Sequence, residues 1–176
     1  MVVGGTARKV GKTSVVCGII AGLRDWNWTA VKLTPHQHAH SRPHSNPDSA
    51  RYLQAGAVRS YWIRTPAGAI ERALPLLNRI LDEGGNVIIE SNGAIDLLTP
   101  DLALMVVGAS VSDLKPTSLR FLECTDAFVQ TAGDVPAAAT AGRPRFEAFP
   151  PAYTNRALLA AIRLKNPLAP ADSTCR

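Results

Sequence analysis

Cysteine is scarce and odd in number. Cys17, Cys124 and Cys175 are too few and too scattered for a disulfide framework, which points to a reducing, cytoplasmic setting. Long apolar runs are missing as well: no stretch reaches the roughly 18 residues of a membrane span, so no membrane partner is expected. The apolar stretch Val15–Leu23 follows basic residues, but no small-residue cleavage site comes after it, which speaks against a signal peptide. Acids nearly vanish from the first third. Residues 1–64 carry nine Lys/Arg against two Asp/Glu, residues 65–134 carry four against ten, and residues 135–176 carry six against two, which gives the net charge of +5. A basic first third suits a protein that handles phosphorylated ligands. Its basic residues are spaced singly, without a zinc-finger or RNA-binding signature, which argues against nucleic acid. With 46% apolar and 19% charged residues in a chain of 176, a folded domain with a full core is expected rather than disorder.

Short apolar runs alternate with helical patterns, the order that a mostly parallel α/β sheet flanked by helices requires. Strands are expected at 1–4, 28–33, 60–64, 86–90, 102–107 and 127–131, and helices at 13–23, 48–55, 66–83, 116–124 and 155–164. Pro75 either kinks the third helix or marks its true start. Residues 133–152, rich in Ala, Pro and Gly, read as loop. Residues 166–176 read as a loose tail, which leaves residues 1–165 as a single domain.

The first strand runs into Gly5-Thr6-Ala7-Arg8-Lys9-Val10-Gly11-Lys12-Thr13-Ser14, and a helix follows. Strand, glycine loop and helix in that order make a phosphate-binding loop. Its backbone N–H groups and the positive helix end would bind phosphate oxygens. Gly11 lets the chain curl, Lys12 would reach the β- and γ-phosphates, and the Thr13 hydroxyl would ligate Mg²⁺. All ten residues are therefore candidate nucleotide contacts. Thr6 stands where the strict pattern has its first glycine, and Gly5 lies one residue earlier. The variant resembles the loop of dethiobiotin synthetase and of its relatives among the cobyrinic acid amide synthases. That resemblance implies the three-layer P-loop NTPase fold.

Asn86–Glu90 is an apolar strand that ends in a carboxylate. In open α/β sheets ligands sit at the carboxyl ends of strands, so Glu90 falls on the same edge as the loop and can hold Mg²⁺ directly or through water. All four histidines, His36, His38, His40 and His44, crowd the loop after the second strand. His-x-His-x-His suits a transition metal, an anionic substrate, or plain solvent. Val31-Lys32-Leu33-Thr34-Pro35-His36, followed by Asp48-Ser49-Ala50-Arg51 and then Ala55-Gly56-Ala57, is similar to MobB, the family of accessory proteins of molybdopterin-guanine dinucleotide synthesis. With the phosphate loop and Glu90, the resemblance spans residues 1–93. It implies GTP binding, weak hydrolysis and a homodimer. On that mapping Asp48 holds Mg²⁺ or positions water, and Arg51 contacts phosphate or pterin; the plainer alternative is a helix cap and a surface arginine.

After the last expected strand come Thr131 and Asp134, in the position where guanine readers place an acceptor aspartate, but without the lysine of that pattern. GTP and ATP both stay open, and a turn aspartate is the alternative. Lys115 falls on the active edge as a further substrate or base contact. The expected function is a Mg²⁺-dependent nucleoside-triphosphate-binding protein. Its catalytic set would be Lys12, Thr13, Glu90 and Asp48. It would act as a slow NTPase accessory alongside molybdopterin or a cofactor-synthesis protein. The alternatives are an ATP-dependent small-molecule ligase or kinase, and a binding protein that responds to metal or nucleotide.

Overall fold

The computed structural model describes residues 1–36, 47–108, 116–133, 140 and 142–165. Seven strands form one sheet: β1 (Val2–Gly5), β2 (Trp28–His36), β3 (Arg59–Pro66), β4 (Asn86–Glu90), β5 (Ala103–Val107), β6 (Ala127–Gln130) and β7 (Arg145–Glu147). Their order is β3-β2-β4-β1-β5-β6-β7, and every neighbouring pair is parallel. Among the described residues, five helices flank the sheet: α1 (Lys12–Gly22), α2 (Pro47–Ala55), α3 (Leu74–Asp82), α4 (Pro116–Glu123) and α5 (Arg156–Lys165).

The central strands are buried on both faces, so apolar residues dominate them, and period two divides their side chains between two cores. Val3, Ile88, Leu104 and Val106 face one core with Val15, Ile19, Tyr52, Leu158 and Ile162 from α1, α2 and α5. Val2, Ile89, Met105 and Val107 face the other, with Leu77 and Ile80 of α3 and Phe121 of α4. β1 lies between β4 and β5, where chain connections diverge to opposite sides. Such a switch point opens a crevice at the carboxyl ends of the strands.

The helix expected over 66–83 is shorter. A 3₁₀ turn covers Ile70–Ala73, and α3 begins at Leu74 with Pro75 in its first turn, where a missing N–H costs nothing. Residues 133–152 are not all loop, because Arg145–Glu147 adds β7 beside β6. Three residues with one apolar side chain give no readable period. Phe146 nevertheless packs against the first core.

Helix α1 approaches the chain closely at two glycines. A Cβ on Gly18 would lie 2.5 Å from the Ala152 carbonyl oxygen and 2.9 Å from that of Tyr153, whereas a Cβ on Gly22 would meet only the Leu159 side chain. Backbone cannot rotate aside as a leucine can. Gly18→Ala should therefore cost about 1–2 kcal/mol, the overpacking penalty less the helix propensity gained. Gly22→Ala should stay within about 1 kcal/mol of wild type. Urea midpoints at unchanged slope measure both, and equal midpoints would contradict the close approach at Gly18.

Candidate functional site

β1 ends at Gly5, and α1 begins at Lys12, with Gly11 left-handed at φ 92° and Lys9 at φ 60°. A Cβ on Gly5 would lie 2.9 Å from Lys12 Cγ and Cδ, so the glycine is needed for Lys12 to fold back across the loop. Lys12 Nζ donates to the Ala7 carbonyl at 3.0 Å and bridges the loop mouth. Two of the expected phosphate contacts have their amides engaged elsewhere. Gly5 N–H donates to Asn92 Oδ1 at 2.8 Å, and Thr6 N–H donates to the Val106 carbonyl at 3.0 Å. The part of the loop that leaves the sheet thus starts at Ala7, and Arg8 and Lys9 after it are exposed.

The start of the loop is clamped to the sheet. Asn92 Nδ2 returns a bond to the Gly5 carbonyl at 2.9 Å, so this side chain pairs with Gly5 as a neighbouring strand would. Ser118 of α4 lies 3.1 Å from the Gly5 and Thr6 carbonyls. The far end rests on Thr131, whose hydroxyl lies 2.6 Å from the Val10 carbonyl and whose methyl sits under Gly11. Thr131, expected at the base, is buried beneath the loop.

A charged cluster faces the loop. Thr13 Oγ1 donates to Glu90 Oε2 at 2.8 Å. Sheet register sets Lys32 of β2 beside Glu90 of β4, and Lys32 Nζ donates to Glu90 Oε1 at 2.9 Å and to Asp48 Oδ2 at 2.6 Å. The Tyr52 hydroxyl donates a short hydrogen bond to Glu90 Oε2. Arg51 donates to Ser14 Oγ at 3.0 Å and lies 3.7 Å from Asp48 Oδ1. Asp48, Arg51 and Tyr52 fall at i, i+3 and i+4 on α2, one face of a helix, so the first turns of α2 meet the start of α1.

Burial lowers the proton affinity of the Lys32 ammonium, but the Glu90 and Asp48 carboxylates outweigh it and hold the pKa above its ordinary value. Burial first, then the Glu90 charge, pushes the Tyr52 phenol well above its usual range, so it stays a donor. Glu90 is 4% exposed, and its carboxylate is paired and hydrogen-bonded, as a buried polar group must be to offset the cost of leaving water.

Lys12, Thr13, Glu90, Asp48, Arg51 and Ser14 are therefore brought together. His36 ends β2, but its side chain, together with His38, His40, His44, Lys115 and Asp134, lies outside the described residues. Sequence reading did not mark Lys32, Tyr52, Asn92 or Ser118 as site residues. Only Lys32 carried a usable signal, a cation between the apolar Val31 and Leu33 of a strand.

The cluster and the loop open onto a cavity of about 1010 Å³, whose lining includes Arg8, Lys12, Lys32, Glu90, Ile70 and Thr117. Mg²⁺ prefers hard oxygen ligands and keeps several waters, taking one or two protein oxygens beside the phosphates. The Thr13 hydroxyl and the Glu90 and Asp48 carboxylates fit that demand. No group of three or more His, Cys, Asp or Glu suited to a metal occurs among the described residues. No helix among them is long and apolar enough to cross a membrane.

No protein-family model matches the chain, and no curated protein matches it. Among solved structures it is similar to HypB from Helicobacter pylori in complex with nickel, with a TM-score of 0.52 at 17% identity, over 93% of this chain and 83% of that one. At that identity the likeness concerns the fold alone, and together with the strand order and the loop at the end of β1 it makes the architecture that of a P-loop NTPase.

Proposed function

We propose that this chain is a Mg²⁺-dependent nucleoside-triphosphate-binding protein that hydrolyses its nucleotide slowly, with residues 1–165 as one nucleotide-binding unit. The carrying observation is the Thr13–Glu90 bond at the mouth of the loop, with Lys32 and Asp48 completing the cluster. Lys12 would neutralise the β- and γ-phosphates, while the amides from Ala7 onward and the α1 N-terminus would hold their oxygens. Bound Mg²⁺ would supply charge neutralisation between the phosphates, with Thr13 and Glu90 facing it. Asp48 would hold Mg²⁺ or position the attacking water. Phosphoryl transfer asks mainly for positioning and charge, which these residues provide.

The finer reading is an accessory role in molybdopterin-guanine dinucleotide synthesis, with a cofactor-synthesis protein as partner and a homodimer as the assembly. It rests on the segment Asp48–Ala57, whose Asp48 and Arg51 point into the cluster. A second reading, an ATP-dependent small-molecule ligase or kinase, is favoured by the cavity continuing past the loop to Ile70 and Thr117, where an acceptor would sit.

Calorimetry with GTP, ATP and their diphosphates, each with and without Mg²⁺, tests the common part. Triphosphate binding that strengthens with Mg²⁺ is expected. No binding at millimolar concentration would exclude it. Turnover stimulated by a molybdopterin-handling protein supports the accessory role, and turnover seen only with a small acceptor supports the ligase.

A further inference from the structure

Three oxygens on three separate elements converge on one ammonium. Lys32 Nζ lies 2.6 Å from Asp48 Oδ2 on α2, 2.9 Å from Glu90 Oε1 on β4 and 3.4 Å from Thr13 Oγ1 on α1. An ammonium has three donors, and each here has an oxygen to face. These are the same oxygens that a hard divalent cation would take. The Lys32 side chain is 16% exposed, and the residue lines the cavity.

A lysine is an expensive choice at this position. Its strand neighbours Ala30, Val31 and Leu33 are buried and apolar, and a buried ion pair is often no more stable than apolar side chains of the same volume. Packing alone therefore does not account for it. Its charge does something specific: with Arg51 beside Asp48, the two carboxylates meet two cations and the cluster is neutral. Two cations cannot share one set of oxygens without strong repulsion.

We propose that Lys32 is a specificity residue that closes the Thr13–Glu90–Asp48 cluster to free divalent cations. The cation then enters only as the Mg²⁺–triphosphate complex, whose phosphate charge offsets its own and gives the displaced ammonium an anion to meet. This deepens the nucleotide-binding reading and rests on its assignment of Thr13 and Glu90.

Titrating Mn²⁺, a paramagnetic substitute for Mg²⁺, into protein stripped of nucleotide and following free Mn²⁺ by electron paramagnetic resonance tests the inference. Wild type should show no saturable site below several millimolar. Lys32→Met, which keeps length and loses charge, should gain a site at least tenfold tighter. Lys32→Arg should behave as wild type, and Lys32→Met combined with Glu90→Gln should lose the gain. Unchanged Mn²⁺ affinity in a folded Lys32→Met protein overturns the inference. Lys32→Gln serves the same purpose if the methionine variant does not fold. The wild-type arm needs no variant at all: a submillimolar Mn²⁺ site in wild type that Glu90→Gln removes also overturns it. Absence of triphosphate binding in wild type would instead remove the nucleotide-binding reading, whatever Mn²⁺ does.

Discussion

Lys12→Ala is expected to weaken triphosphate binding about 100-fold while leaving nucleoside binding within about twofold of wild type. The side chain folds across Gly5 and ends over the loop mouth, where its ammonium meets the Ala7 carbonyl. A charge-assisted contact to phosphate is worth about 1.5–3 kcal/mol, and each 1.4 kcal/mol is tenfold in affinity. The loss falls on the phosphates because no other part of a nucleotide offers that charge. Calorimetry with the triphosphate, the diphosphate and the nucleoside gives the comparison. Equal loss for all three would mean that Lys12 acts on the fold of the loop and not on the ligand. Far-UV circular dichroism separates a misfolded variant from a folded one.

Glu90→Ala should lower stability by about 3 kcal/mol, near the lower end of what breaking a buried ion pair costs. Glu90 accepts bonds from Thr13, Tyr52 and Lys32, and its loss strands the buried Tyr52 hydroxyl. Asp48 still holds the Lys32 ammonium, which keeps the cost from rising further. In a chain of this size that corresponds to about 6–12 °C in the melting midpoint. Glu90→Gln keeps the shape and one acceptor and should lose about 1–2 kcal/mol. The Lys32 ammonium is held above its ordinary 10.5, so its share of this stability is whole below that pH. It fades only as pH rises through the folded value, and measurements near neutrality see it in full. A Glu90→Ala midpoint equal to wild type would show that the cluster carries no net stability.

The sheet was legible because its strands are short, apolar and separated by helical periods, and the glycine loop between β1 and α1 was legible because strand, glycines and Lys12-Thr13 are contiguous. Glu90 followed from a carboxylate that ends an apolar strand. Lys32 and Tyr52 did not follow, since each gains its role only through pairing between distant segments: sheet register for Lys32, and the docking of α2 for Tyr52. Asn92 and Ser118 are ordinary turn and helix-start residues in sequence, and they acquire meaning only where α4 and the turn after β4 meet the end of β1. β7 was hidden because Arg145–Glu147 is shorter than any period can reveal. Alternating His36, His38 and His40, with His44 close behind, made a vivid pattern in sequence that never needed long-range pairing to be noticed.

The bracing of the loop from both rims, by Asn92 and Ser118 at Gly5 and by Thr131 at Val10, has a thermodynamic consequence. A receptor already shaped for its guest forfeits little conformational freedom at capture, so more of each contact survives as affinity. Residues that never touch a phosphate would in this way set how tightly one is held.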